Sequence, residues 1–281
     1  MAAHRRIYDG SVLAELAFDA GDEGATFEQL IILLSMGVCG GIEPPTPVGA
    51  AGHRWIFAPN AAAGNVPDIY TLYYGDNFQC WQSESVFARS LTLAAATEDS
   101  WLITGDLVGD QMDPGGEFHP GISYPTPLET ILAQLTSLYI DDTYATIGDT
   151  LTLGTLIDWS ITIPGYHPKF FQDGVRVFTG IGLASRALEV TMTYEFNAEA
   201  VAEHLLYQAG TPRFIRLLAQ GSLINAPADY HEAQIDMCVI WDTPGPDAFD
   251  ERDGNDIITF SGRTVYDPDW ERDWQIEVQN T

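Results

Sequence analysis

Along residues 188–196 apolar and polar side chains alternate without a break. Leu188, Val190, Met192, Tyr194 and Phe196 fall on one face of an extended chain, and Glu189, Thr191, Thr193 and Glu195 on the other. A period of two with one apolar and one polar face predicts a strand of an antiparallel sheet, since a parallel strand covered by helices reads apolar on both faces. The same reading places strands at 53–57, 69–74, 80–87, 89–93 and 101–108. A second series follows at 151–153, 159–163, 175–178, 214–218, 223–224, 235–241, 257–264 and 274–278. Turn residues punctuate both series at roughly the 8–12-residue spacing of sandwiches and barrels. The expected class is mainly β, an antiparallel β-sandwich or barrel.

Three stretches break the alternation. Thr26 and Gln29 form a capping box ahead of the apolar run 30–36, which Gly37 stops. Pro127 opens an expected helix over 128–138, with Glu129 in its first turn. Asn197 caps a flanking helix over 198–209, stopped by Gly210 and Pro212. In that helix Ala200, Val201, Leu205 and Leu206 form the expected apolar stripe, and Glu199 and Glu203 the opposite, polar side. The chain therefore divides into an N-terminal arm, short helix and loop at 1–52, and a β domain at 53–281 with an inserted loop and helix at about 109–138. Residues 242–256 read as a long polar loop in which six acids face Arg252 alone.

Charge narrows the function. Forty acidic residues against 12 basic ones, a single lysine among them, give a formal charge of −28. Such a surface repels nucleic acid and anionic lipid and argues against DNA binding through basic patches; a salt-adapted host would also yield an acidic, lysine-poor chain. Cys39, Cys80 and Cys238 are odd in number and show no C-x-x-C spacing, so buried free thiols are expected. The start lacks the apolar core of a secretory signal, and nowhere do 18 apolar residues run together.

Catalytic signatures are absent: no G-x-S-x-G, H-E-x-x-H, P-loop or G-x-G-x-x-G occurs. The six histidines are scattered, with His53 opening a strand, His204 within a helix, and His4, His119, His167 and His231 in loop-like stretches. None has a second histidine at metal-ligand spacing. Asp141 with Asp142, or Glu189 with Glu195, could form a glycosidase dyad only if a cleft set their separation. The stretch 250–254 departs from the EF-hand pattern, though a looser Ca²⁺ site there is compatible with its acids. Trp55, Trp101, Trp159 and Trp241 lie in expected strands, where core positions are the usual role. Neither an enzyme nor a cofactor is expected.

The order of elements carries a resemblance. The strand 55–57 precedes the hairpin ending Leu102-Ile103-Thr104-Gly105-Asp106-Leu107-Val108-Gly109. Then come Leu138-Tyr139-Ile140-Asp141-Asp142, Ile147-Gly148-Asp149-Thr150, Trp159-Ser160-Ile161-Thr162-Ile163-Pro164-Gly165 and Phe171-Gln172-Asp173-Gly174. The strand 188–196, the helix 198–209 and the strand 214–218 complete the set. Over about residues 53–109 and 138–266 this resembles the tail tube (major tail) proteins of long-tailed bacteriophages. The resemblance implies a β-sandwich with a flanking helix that assembles into stacked, six-membered rings, with strands from all subunits closing a barrel around the DNA channel. It implies a virion protein made in the host cytoplasm. Its partners would be further copies of itself and other tail proteins (tape measure, terminator, baseplate or tip), with DNA passing through without tight binding. Residues 1–52 and 109–137 depart from a minimal family member.

On that reading the polar face of 188–196, with Glu189, Thr191, Thr193 and Glu195, suits the channel wall, and the strand bearing Asp236 is the alternative wall. The long loop, with Asp242, Asp247, Asp250, Glu251, Arg252 and Asp253, suits the contact between rings. A monomeric β-sandwich module binding carbohydrate or a cell surface is the alternative from another class.

Overall fold

A computed structural model describes residues 13–19, 24–38, 45–59, 65–75, 79–115, 128–172, 175–225, 229–243, 249–252 and 254–281. The chain runs β1 (Ala14–Asp19), α1 (Phe27–Gly37), β2 (Thr46–Val48), β3 (Gly52–Phe57), β4 (Tyr70–Gly75), β5 (Cys80–Ala96), β6 (Leu102–Gly109) and β7 (Met112–Gly115). It continues through β8 (Thr136–Asp141), β9 (Leu151–Thr152), β10 (Leu156–Pro164), β11 (Tyr166–Lys169), β12 (Gly180–Leu183) and β13 (Glu189–Glu195). The last part holds α2 (Ala198–Ala209), β14 (Arg213–Asn225), β15 (Asp229–Thr243), β16 (Phe249–Arg252), β17 (Asn255–Thr264) and β18 (Trp274–Asn280). The protein is mainly β, as the alternation predicts, with a large antiparallel sheet and a flanking helix.

β15 joins the two halves. Val239 to Thr243 pair with β17, while Glu232 to Met237, farther back along the same strand, pair with β18. A first wall, β1-β6-β5-β10-β13-β17, thus meets a second, β3-β18-β15-β14-β8-β9, at one shared strand. Their inner faces form a single core that includes Leu91, Trp101, Trp159, Met192, Ile215, Ile235 and Val278. Trp101 and Trp159 meet edge to face at 4.8 Å, a geometry favoured by the ring quadrupoles. α1 packs on β5 of the first wall and on β3, β15 and β18 of the second. Thr26 Oγ1 accepts from the Gln29 amide at 3.2 Å, a cap worth about 1 kcal/mol.

Several expectations change. Residues 128–138 form no helix: Thr130 and Leu132 bridge to Thr26 and Ser100, Ala133–Leu135 make one 3-10 turn, and β8 follows. Leu128, Ile131, Leu132, Leu135 and Leu138 carry helical spacing, but pairing with the lead-in to α1 holds the chain extended. Only Ile131 and Leu138 are buried, and the other three stay exposed. The lead-in, read as an arm, contains β1, which pairs with β6 from Ala14↔Gly109 to Asp19↔Thr104. The two strands expected at 80–87 and 89–93 are one strand, β5, whose register shifts between Ala88 and Ser90, leaving Arg89 as a bulge. Residues 175–178 are not a strand; the hairpin there pairs β11 with β12.

α2 starts on Asn197, whose Oδ1 accepts from the amides of Glu199 and Ala200, and ends at Gly210 in the left-handed region (φ +66°). It docks on a face turned away from the expected stripe, of which only Ala200 is fully buried. Ala200 and Glu203 are buried, while Val201 and Leu205 are exposed, Leu205 to 60%. Arg213, buried at the start of β14, accounts for this: its guanidinium reaches Glu203 at 2.9 Å and also pairs with Asp142. A buried cation needs a buried counter-ion more than a leucine needs cover.

Candidate functional site

Strand register assembles one surface from both halves of the chain. On the outward face of the first wall Ser90 stands opposite Asp106 and Thr92 opposite Thr104 across β5 and β6. Thr162 continues from Thr92, and Ser160 from Ala94, across to β10. β13 adds Thr191 opposite Ser160, and β17 adds Ser261 and Thr259 opposite Thr191 and Thr193. The result is a band of hydroxyls across five neighbouring strands.

These hydroxyls pair with one another: Thr92 with Thr162 at 3.2 Å, Thr193 with Thr259 at 3.2 Å and Thr191 with Ser261 at 3.4 Å. Threonine fits because its branched side chain suits the pleat while its oxygen bridges to the next strand. Carboxylates edge the band, with Glu189 and Glu195 exposed at the two ends of β13 and Asp106 exposed on β6. Two of the nearby arginines are occupied, Arg89 with Glu15 and Arg252 with Asp158 at 2.6 Å. Arg263 stands opposite Glu189 in the register and makes no ion pair among the described residues.

The site expectations divide here. Glu189, Thr191, Thr193 and Glu195 share the outward face of β13, although Thr193 is only 4% exposed and the band is chiefly hydroxyl rather than acidic. Asp236 belongs to the other wall and is 1% exposed; Arg216 grips it with Nε at 2.6 Å and Nη2 at 2.9 Å. Asp242 is exposed at the end of β15. Asp250, Glu251 and Arg252 lie in β16, hydrogen-bonded to the start of β17, where a plain loop is expected. Asp247 and Asp253 lie outside the described residues.

Other candidates are structural. Trp101, Trp159 and Trp241 are buried, and Trp55 packs half-buried against the core. Asp141 is buried and accepts from the Gly148 amide at 2.9 Å, while exposed Asp142 pairs with Arg213. Glu189 and Glu195 sit at opposite ends of one strand, roughly 20 Å apart by strand rise, too far to act as a dyad. His231, expected in a loop, is buried within β15, with Glu28 and Glu129 carboxylates at 4.0 and 3.9 Å. Cys80 and Cys238 are buried free thiols, as expected; Cys39 lies outside the described residues. Burial, followed by the charges of Asp267 and Asp273, pushes the Cys238 thiol up to about 12, so it is inert as a nucleophile at neutral pH. Among the described residues no cluster of His, Cys, Asp and Glu is arranged to hold a metal ion. The acids beside α2 at Glu203, Asp142 and Asp149 line a cleft of about 500 Å³, and its cation, Arg213, is taken up by Glu203 and Asp142.

The chain matches no protein-family model and no curated protein.

The hydroxyl band draws on strands separated by up to about 170 residues of sequence. Period-two alternation marks each contributing strand, but only register lines the strands up. That is why 188–196 stands out in the sequence while Thr92, Thr162 and Thr259 do not.

Proposed function

We propose that this chain is the repeating subunit of a bacteriophage tail tube, a structural protein whose stacked, six-membered rings pass the DNA genome along a lumen. The hydroxyl band with its carboxylate edges is the observation that carries the reading. A duplex must slide through such a lumen, and every phosphate met by a free cation adds affinity through counterion release. Neutral hydroxyls bonded to one another, edged by Glu189, Glu195 and Asp106, with Arg89 and Arg252 held by acids and Arg263 left opposite Glu189, offer little grip. The order of strands and helices that resembles tail tube proteins supports the same reading, which places the protein in the virion alongside other tail proteins. Six copies would carry roughly −168 (six times −28), so assembly relies on apolar contacts and on salt that screens the repulsion.

Changing Glu189 and Glu195 together to lysine tests the function directly. Repulsion of the duplex becomes attraction, a swing of four charges per subunit, repeated around every ring. Even about 1 kcal/mol per contact then adds up to a large drag. Tails of normal length that release their genome slowly, with relief by added salt, are expected. Release at the unmodified rate would show that this face does not meet DNA.

A further inference from the structure

The hairpin β11–β12 forms a two-stranded sheet of its own, apart from the large sheet. Tyr166 at its base and Phe178 in the connection between its strands pack with Phe87 and Val108 in a second small core, Phe178 edge-on to Phe87 at 5.5 Å. The start of that connection is less covered than its end. Phe170 and Phe171 are exposed, Phe171 to 57%. Next to them is Lys169, the one lysine of the chain, exposed and without an ion pair among the described residues. An aromatic pair beside a free cation is thus exposed on a molecule of charge −28.

A second feature answers it. Between α1 and β1 runs an open groove of about 370 Å³ lined by Phe18, Ile32, Leu33 and Ile103, with Gln29 and Asp19 also lining it. Ile32 is 48% exposed on a helix whose Phe27, Leu30, Ile31, Leu34 and Met36 are all buried. An apolar cavity of about 150 Å³ holds one benzene ring, so this groove has room for two.

The hairpin cannot fill its own groove. It packs on Val108, near the Ala14↔Gly109 end of the β1–β6 pair and on the outward face. The groove lies toward the Phe18↔Gly105 and Asp19↔Thr104 end, on the core side that Ile103 shares. Patch and groove therefore occupy opposite ends and opposite faces of the first wall.

We propose that the Phe170–Phe171 tip of one copy docks into the α1–β1 groove of a second copy, with Lys169 drawn to that copy's acidic surface. Two different patches meet in such a heterologous contact, so it repeats from copy to copy and builds a ring or a stack rather than a closed pair. Burial of two aromatic anchors supplies the attraction that a strongly acidic chain needs against its own repulsion. The inference rests on the reading that copies of this chain assemble, and it names a contact that holds them.

The test is disulfide trapping in full-length chain carrying Cys39→Ser, whose Cys80 and Cys238 are buried. Phe171→Cys and Ile32→Cys are placed in separate copies, concentrated in salt and oxidised with oxidised glutathione. The mixture is expected to give a dimer-sized product that neither variant gives alone. In the otherwise unmodified chain, Phe170→Ser with Phe171→Ser is expected to weaken self-association by more than about tenfold, with the circular dichroism spectrum unchanged. A product from Phe171→Cys alone would overturn the proposal by showing a symmetric contact, and so would absence of association at every concentration and salt. Rings seen by electron microscopy without the mixed product would remove this contact and keep the tube reading. The mixed product in particles lacking an axial channel would keep the contact and remove the tube.

Discussion

The outward faces of the two walls follow the same period-two rule and reach opposite solutions. On the first wall the polar positions are short and neutral, with hydroxyls bonded in pairs and carboxylates exposed at the margins. On the second they are long and charged. Arg216 grips Asp236 and Gln234 donates to the same carboxylate at 2.8 Å, while Arg54 reaches Gln279 at 3.2 Å and Glu277 at 3.9 Å. Alternation along a strand says which side chains face outward and not what that surface does. The second wall uses its cations to satisfy acids that folding has buried. The first keeps its surface almost free of unpaired cations, which suits a face past which a polyanion moves.

The largest effect separating the walls is expected from Arg216→Met. Asp236, almost fully buried, would lose its counter-ion, and breaking a buried pair costs about 3–5 kcal/mol, measurable by denaturant unfolding. Adding Asp236→Leu should recover most of that loss. On the first wall Thr193→Val orphans the Thr259 hydroxyl and should cost about 1 kcal/mol, whereas Thr193→Val with Thr259→Val should fall close to the unmodified protein. A double variant as damaging as Arg216→Met would erase the distinction between the walls.

Acidity sharpens the comparison from the other side. Burial holds the carboxyls of Glu277, Asp273 and Glu203 above the usual range, opposed in turn by Arg54, Arg186 and Arg213. All three lie on or beside the second wall. An acid whose folded pKa is raised contributes stability that is present below its unfolded pKa and lost as pH rises through the folded value. Lowering the pH from about 8 to about 5 should therefore stabilise the protein, and relief of net repulsion acts in the same direction. A rise of about 2–4 °C in Tm is expected, equivalent to about 1 kcal/mol in a chain of this size; a fall would contradict the assignment. The smallest effect on stability is expected for Glu189→Lys with Glu195→Lys, within about 0.5 kcal/mol for exposed positions. The cation introduced by Glu189→Lys would face Arg263 across the strands, so Glu195→Lys alone should be the milder change.

Local signals were legible in the sequence, and signals set by pairing were not. The Thr26 and Asn197 caps, the left-handed stop at Gly210 and the apolar face of Leu188, Val190, Met192 and Tyr194 follow from neighbouring residues and appear where expected, whereas Phe196 lies past the strand and is exposed. The spacing of Leu128, Ile131, Leu132 and Leu135 imitated a helix because nothing local reports that Thr130 and Leu132 would bridge to Thr26 and Ser100. The burial of Glu203 was hidden for a similar reason: helical periodicity assigns an acid to the wet side, and only Arg213, ten residues on, reverses that. The strand bearing Asp236 stands as an alternative wall in the sequence, and only register sets Arg216 opposite that acid. The hydroxyl band is the same case on a larger scale, since its members are ordinary strand residues until the sheet aligns them.

Electron microscopy of the purified protein, concentrated in salt and reconstructed far enough to trace strands, tests the central claim most directly. The expected result is stacked rings with an axial channel walled by the face that carries Thr92, Thr162, Thr191 and Thr259. Isolated monomers under every condition, or rings that turn this face outward, would contradict it.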